Sequence, residues 1–382
     1  MIPRHSPRLG SAGFSLIELM VAAAIGMMLL AGLTLIFVNS SEANRELQKT
    51  AQQIENGRYA IDVLSQNLHH AGYYGHLYAL PTLPGGLPDP CEIADLAVLK
   101  SALAMPVQGY RAADLATVAD VTASSCDDKG LLPATNLRPG SDVLVIRRAS
   151  TTVIVPSSNP PVVNDVYIQA TGTLVDVQFG TSADITANSR IDGVTACSPY
   201  CKKTPPLPAV AAPIRKYMVH VYFVAPCSVG KGTLDVCNGS STEDTIPTLK
   251  RLELVSEAGV TKMKIIPMVE GVEYLKVEFG VDTIPAAVNI STGLKGDATA
   301  DAYVNDYSAT PPDWTTVIGA KVYVLARNTE LTFGHTDTKT YTLGTVPAAG
   351  TTTVAATNDA FKRHAFAAAV RLINPAGRRE IP

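Results

Sequence analysis

The sequence predicts an α+β fold, with a long N-terminal α-helix packed on a mainly antiparallel β-sheet body. The helix is indicated by one long apolar segment, residues 14–38, and by the helix-periodic segment that follows it. The body is indicated by short runs rich in Val, Ile, Tyr and Leu from residue 73 onward. Because no long helical pattern separates these runs, we expect antiparallel sheets.

The composition is low in charge. The chain has 382 residues, a net charge of −3 and 17% charged residues, against roughly 25% in an average protein. The other apolar stretches are too short to cross a bilayer, so we expect a single membrane span and a large polar body. A near-neutral balance argues against a general nucleic-acid binder.

The residues before the apolar segment indicate its orientation. Arg4 and Arg8 precede it without an acidic residue, which favours retention on the cytoplasmic side and export of the body. An ordinary secretory signal has its small-residue cleavage site after the apolar run. Here a small residue, Gly13, precedes the run instead.

Glu18 is the single charge within residues 14–38. A carboxylate at the middle of a membrane helix costs about 2.5–3.5 kcal/mol on insertion scales. Two interpretations stay open: Glu18 lies near the interface and reaches the headgroups, or it neutralises a positive partner in a protein–protein contact.

The run GFSLIELM at residues 13–20 resembles the class III signal of type IV prepilins and type II secretion pseudopilins. The resemblance implies that an inner-membrane aspartyl peptidase cleaves between Gly13 and Phe14 and methylates the new amine of Phe14. It implies that Glu18 pairs with the N-terminal amine of a neighbouring subunit. Residues 1–13 would then be the leader, and residues 14–72 the transmembrane and amphipathic helix.

Further segments are similar to those of PilW-type minor pilins. They are residues 69–75 (HHAGYYG), 140–148 (GSDVLVIRR), 269–273 (VEGVE), 279–282 (FGVD) and 370–374 (VRLIN). The resemblance implies a structural minor pilin that primes a type IV pilus and lies at its tip. The alternative within the same architecture is a minor pseudopilin of a type II secretion system.

The PilW resemblance also implies partners and location. The partners would be other minor pilins, the major pilin, the prepilin peptidase, the inner-membrane assembly platform and a large tip adhesin. Before assembly we expect a single-pass inner-membrane protein with its body in the periplasm. After assembly we expect it at the pilus tip on the cell surface, with a role in twitching motility.

The segment after residue 38 continues with helical spacing. Its apolar stripe is Leu47, Ala51, Ile54, Ile61, Leu64, Leu68 and Ala71, with charged residues on the other face and Gly72 as a helix end. We expect this stripe to pack on the protein's own sheet. The body is expected as a loop-rich β lobe, residues 73–215, and a C-terminal β-sheet domain, residues 216–382. Predicted strands are 142–148, 152–155, 166–170, 217–225, 249–255, 274–280, 320–326 and 367–372.

All six cysteines lie in the body: Cys91, Cys126, Cys197, Cys201, Cys227 and Cys237. An even count in an exported domain favours three disulfides, and six cysteines allow 15 pairings. Proximity favours Cys91–Cys126, Cys197–Cys201 and Cys227–Cys237. The spacing fits a zinc site poorly.

The sequence carries no GxSxG, HExxH or P-loop motif, so we predict neither an enzyme nor a cofactor. Asp297, Asp301, Asn305 and Asp306 form an oxygen-rich loop that lacks the EF-hand register, and we expect a solvated loop without metal. A nucleic-acid- or surface-binding module is a further hypothesis. Its candidate basic spots are Arg147-Arg148, Lys202-Lys203 and Lys250-Arg251.

Overall fold

A computed structural model describes residues 13, 15–82, 85–121, 126, 129–155, 160–180, 201–202, 210–231, 233–284, 297–305, 312–344 and 352–380. The chain divides into two units, Met1–Ala51 and Gln52–Pro382. The α-helices are α1 (Leu16–His70), α2 (Leu96–Ser101) and α3 (Ile373–Glu380). Short 3₁₀ helices cover Ala102–Ala104, Ala134–Asn136, Thr233–Asp235 and Trp314–Thr316.

The strands follow in chain order. They are β1 (Val107–Tyr110), β2 (Val143–Ile154), β3 (Val166–Ala170), β4 (Val175–Phe179), β5 (Cys201–Lys202), β6 (Val210–Ala211), β7 (Ile214–Ala225), β8 (Thr248–Glu257), β9 (Val260–Glu270), β10 (Val272–Val281), β11 (Ala302–Val304), β12 (Val317–Arg327), β13 (Tyr341–Thr342), β14 (Thr353–Val354) and β15 (Arg363–Arg371). The described strand pairs are antiparallel throughout. The predicted α+β class is confirmed.

In the first unit, the described residues from Leu16 onward belong to α1. Its large apolar side chains between Leu16 and Val38 are 45–78% exposed. Among the described residues, α1 is the one helix that is long and apolar enough to cross a membrane. This part of the helix therefore presents apolar surface that the first unit does not cover.

Two larger sheets form the second unit. The first has the order β1-β2-β7-β3-β4, with β8 also paired to β7 and β9 to β8; the second has the order β11-β10-β12-β15. Two small sheets, β5–β6 and β13–β14, accompany them. Strand β2 joins the predicted strands 142–148 and 152–155, with an irregularity between Ala149 and Val153.

The central strands of the first sheet are buried on both faces. Leu144 and Ile146 of β2 contribute to the cluster that also contains Leu64 and Leu68 of α1. The alternate residues, such as Val145, belong to a separate cluster on the opposite face. Successive side chains of a strand point to opposite faces, so one strand supplies both cores.

The buried face of α1 differs in part from the predicted stripe. Leu64, Leu68 and Ala71 are fully buried as predicted, whereas Leu47 is 68% and Ile54 37% exposed. The buried positions of α1 that precede Leu64 are Gln53, Gly57 and Ala60. Apolar periodicity missed this face because two of its members are small and one is polar.

Local contacts explain why those residue types are buried. Gln53 Nε2 donates hydrogen bonds to the carbonyl oxygens of Ala326 and Lys362, both at 2.9 Å. An ideal Cβ on Gly57 would lie 2.1 Å from Cε2 of Phe366. The helix therefore meets β12 and β15 through a side-chain amide and a missing side chain rather than through large apolar residues.

The expected boundary between residues 215 and 216 falls inside β7. This strand pairs with β2 and β3, which precede it in the chain, and with β8, which follows it. The residues on both sides of that boundary therefore share one sheet. The chain passes to the second sheet at Gly271, which has a φ of +77° and lies between β9 and β10.

Candidate assembly segment and the joints of the body

The predicted cleavage position lies just outside helix α1. Gly13 is exposed, and an ideal Cβ on it would have no neighbour within 4 Å. Phe14 lies outside the described residues. The helix begins at Leu16, so the Gly13–Phe14 peptide bond precedes the first helical residue. Cleavage and methylation at this position stay predictions.

Ser15 and Glu18 form a reciprocal pair at the start of α1. The backbone N–H of Ser15 donates to Glu18 Oε2 at 3.0 Å, and the backbone N–H of Glu18 donates to Ser15 Oγ at 3.3 Å. The backbone N–H of Leu19 donates to the Ser15 carbonyl at 3.2 Å. This is a capping box, with Ser15 as N-cap and Glu18 three positions later. The spacing S-x-x-E in the sequence is the signal for this capping box.

At the other end of α1, the segment HHAGYYG turns the chain toward the body. Gly72 has a φ of +70°, which favours glycine after a helix. Its N–H donates to the Arg147 carbonyl at 2.9 Å. His69 Nδ1 lies 3.2 Å from the Arg371 carbonyl, and His70 Nδ1 lies 2.7 Å from the Gln66 carbonyl. Both histidines therefore contact carbonyl groups at the end of the helix.

Helix α3 holds the same turn from the C-terminal side. Asn374 Nδ2 donates to the Ala71 carbonyl at 3.1 Å, and Arg378 Nη2 donates to the Gly72 carbonyl at 2.5 Å. The Arg378 guanidinium also lies 5.6 Å from the ring centre of Tyr74. Burial raises the pKa of Tyr74 and lowers that of Arg378. These buried groups therefore fix helix α3 to the turn that follows α1.

The segment GSDVLVIRR joins the two sheets. Asp142 Oδ1 accepts a hydrogen bond from Lys276 Nζ on β10 at 2.9 Å, and Oδ2 accepts one from the Val277 N–H at 3.1 Å. The backbone N–H of Asp142 donates to the Leu275 carbonyl at 2.8 Å. The Asp142 and Lys276 side chains are 2% and 4% exposed. A buried ion pair of this kind requires its partner, because the remaining charge would otherwise be desolvated alone.

The segments VEGVE and FGVD provide two more ionic joints. Glu273 accepts from Arg363 Nε at 2.6 Å and from Arg138 Nη2 at 3.1 Å. Asp282 Oδ2 accepts from Arg379 Nε of α3 at 2.9 Å. The PilW-like segments thus form the contacts that fix the sheets, the end of α1 and helix α3 to one another.

In two of the three candidate basic pairs, Arg147-Arg148 and Lys250-Arg251, one cation is buried and contacts other parts of the body. Arg147 and Lys250 are each 1% exposed. Arg147 Nη2 donates to Gln108 Oε1 at 2.8 Å, and Lys250 Nζ donates to the Asp235 carbonyl at 3.3 Å. Burial lowers the pKa of Lys250. These spots do not present paired surface cations, and Lys203 lies outside the described residues.

The structure contains the disulfides Cys91–Cys126 and Cys227–Cys237. Cys197 lies outside the described residues, and only the backbone of Cys201 is described, so the third pair stays a prediction. The bridges close loops with sequence separations of 35 and 10 residues. Loop-closure entropy for such lengths corresponds to about 3–4 kcal/mol per bridge.

The oxygen-rich loop uses its carboxylates locally. Asp297 Oδ1 accepts from the Thr299 N–H at 2.9 Å, and Asp301 Oδ2 accepts from the Thr283 N–H at 2.8 Å. Asp306 lies outside the described residues. Within the described ranges, no group of three or more His, Cys, Asp or Glu side chains is arranged to hold a metal ion.

Comparison with protein families bears on both ends of the chain. Residues 8–34 match the prokaryotic N-terminal methylation motif, and residues 221–374 match the family Type IV Pilus-assembly protein W. The chain therefore resembles PilW-type pilins. The first match covers Gly13, Phe14 and Glu18. The second covers three of the five PilW-like segments, while residues 69–75 and 140–148 precede it.

No curated protein matches this chain in sequence. Among solved structures, a type IV-like pilin from Thermus thermophilus is similar at 16% identity, over 41% of this chain and 78% of that chain, with a TM-score of 0.20.

Proposed function

We propose that this chain is a structural minor pilin of the PilW type, which primes the assembly of a type IV pilus and lies at its tip. The proposal is supported by three features of the first unit. This unit contains a methylation motif, a helix that begins just after the proposed cleavage position, and exposed apolar side chains along the following turns. Such a helix needs lipid or other apolar helices around it.

The proposed sequence of events starts at the leader. The prepilin peptidase cleaves between Gly13 and Phe14 and methylates the Phe14 amine. In the membrane, Glu18 then pairs with the N-terminal amine of a neighbouring subunit. Two opposite charges in apolar surroundings are unfavourable unless they pair, so this contact sets the stagger between subunits. The apolar residues of α1 supply the lateral packing.

The proposed division of the chain is a leader, residues 1–13, the helix, residues 14–72, and an exported body. The body lies in the periplasm before assembly and at the cell surface afterwards. It would contact other minor pilins, the major pilin and a large tip adhesin, while the helix contacts the assembly platform. The proposed role is structural rather than catalytic, because the buried polar clusters we describe hold elements of the body together.

The second candidate is a minor pseudopilin of a type II secretion system, which shares the methylation motif and the apolar helix. The match to the pilus-assembly W family over residues 221–374 favours the pilus. Deletion of the gene separates the two functions. The pilus function predicts far fewer pili per cell and loss of twitching with normal exoprotein secretion. Loss of secretion with normal piliation would support the pseudopilin instead.

Gly13→Val tests the cleavage position. The resemblance implies that the peptidase recognises glycine at position 13, and valine adds a β-branched side chain there. The structure leaves space around Gly13, so the fold should tolerate the change. We expect an unprocessed precursor of lower mobility that folds normally, detected by immunoblotting and by N-terminal sequencing. A mature N-terminus at Phe14 in this variant would contradict the class III signal.

A further inference from the structure

We propose that Ser15 is a positioning residue for assembly: its capping box with Glu18 sets the start of α1 and holds the Glu18 carboxylate there for docking. This inference rests on the proposed function for its assembly readout. Ser15 would then take part in assembly together with Glu18, and Glu18 would cap the helix as well as pair with a charge.

The geometry assigns the two Glu18 oxygens different tasks. Oε2 accepts the Ser15 N–H at 3.0 Å. In the part of the chain that the structure describes, Oε1 accepts no hydrogen bond, and Glu18 is exposed. One oxygen can therefore serve the helix while the other accepts a donor from a neighbouring subunit. Docking does not require the capping box to open.

The membrane setting makes this cap more important than one in water. A helix start leaves four backbone N–H groups without intrahelical partners, and lipid offers no water to satisfy them. Ser15 Oγ accepts the Glu18 N–H, and Glu18 accepts the Ser15 N–H. Without the Ser15 hydroxyl, the first turn would open, and the carboxylate would occupy many positions instead of one.

The variants Ser15→Ala, Ser15→Thr and Glu18→Gln separate capping from charge. Ser15→Ala removes the hydroxyl and keeps the carboxylate, and Ser15→Thr keeps a capping hydroxyl. Glu18→Gln keeps a capping-box side chain but removes the charge. Each is expressed as the full chain, and its incorporation into sheared pili is measured relative to its level in the membrane. Amide exchange of the first helical turn is measured on the purified chain in detergent micelles.

For Ser15→Ala we expect about fivefold faster exchange in the first turn, the typical effect of losing a cap, and a comparable loss of incorporation. Ser15→Thr should restore both. Glu18→Gln should exchange like the wild type and yet fail to incorporate. Wild-type incorporation of Ser15→Ala, or failure of Ser15→Thr to restore it, would overturn the proposal. All variants should be cleaved at Gly13–Phe14; if the wild type itself is not cleaved, the proposed function fails instead.

Discussion

Helix α1 approaches strand β15 closely at Gly57, which has no side chain to separate them. The Phe366 ring occupies the position where a Cβ would stand, at 2.1 Å from Cε2. That ring lies edge-on to His364, with centroids 4.7 Å apart, and has to move if the helix gains a side chain. A glycine inside a helix normally costs about 1 kcal/mol relative to alanine, so this position exchanges helix propensity for close packing.

We expect Gly57→Ala to destabilise the body by about 1–2 kcal/mol, because overpacking outweighs the gain in helix propensity. Urea unfolding of the full chain in detergent can be followed by the fluorescence of Trp314, the single tryptophan, which is 4% exposed. Gly377→Ala is the matched control in helix α3, since a Cβ there has no neighbour within 4 Å. A neutral or stabilising Gly57→Ala would contradict the packing argument.

The N-terminal site shows what the sequence predicts at this scale. Gly13, Phe14 and Glu18 are recognisable because peptidase recognition and charge pairing depend on residue type at a fixed spacing. The hydrogen bonds between Ser15 and Glu18 also depend on a local spacing, S-x-x-E, and are therefore predictable in the same way. The Asp142–Lys276 pair could not be predicted, because its partners are 134 residues apart and nothing local indicates the contact.

At the scale of elements, the segment between β12 and β15 is fastened by one arginine. Arg363 Nη1 lies 3.0 Å from Asp337 Oδ2 and 2.7 Å from Asp359 Oδ1, while its Nε contacts Glu273. The Arg363, Asp337 and Glu273 side chains are at most 3% exposed, and that of Asp359 is 35% exposed. Hydrogen bonds from Arg363 lower the pKa of Asp359 to about 2.

This shift of the pKa predicts that the contribution of Asp359 to the stability of the fold depends on pH. A carboxylate with a lowered pKa in the folded state stabilises the fold above its ordinary value of 3.8, and the stabilisation is lost as the pH falls toward about 2. We expect Asp359→Asn to cost about 1 kcal/mol at pH 7, and the difference from wild type to shrink below pH 4. Unfolding curves at several pH values measure this difference.

Asp62→Asn is a suitable control for Asp359→Asn. Asp62 is exposed on α1, and its carboxylate accepts a hydrogen bond from Gln66 on the same helix. Its replacement should change stability little at any of these pH values. A cost for Asp359→Asn that stays constant from pH 7 to pH 3 would show that the ion pair does not supply the stabilisation.

Strands were predicted where apolar β-branched residues are continuous and missed where they are not. Strand β3 matches the predicted 166–170, and β7, β8 and β12 extend their predicted cores by a few residues. Strand β9 contains Lys262, Lys264 and Pro267 and is paired on one side to β8. Such residues are typical of edge strands and weaken the apolar pattern on which the prediction depends.

For the whole molecule, the architecture could be predicted and the internal division could not. Composition and periodicity indicate one long helix and an antiparallel body, and both are present. The expected boundary at 215 and 216 relied on proline-rich sequence, but β7 runs through it. Sheet membership depends on pairing between distant strands, and a proline-rich loop beside a strand does not change that pairing.

The joints on either side of Gly271 determine how the protein can be produced in pieces. Asp142 and Arg138 precede this glycine, while their partners Lys276 and Glu273 follow it. A fragment that ends at β9 would remove the lysine and the Val277 N–H that Asp142 contacts, and would expose the apolar residues of β2 that share a cluster with β10. Recombinant versions of the body therefore need residues from the end of α1 through α3, and affinity tags are better attached away from the Arg378 and Arg379 contacts.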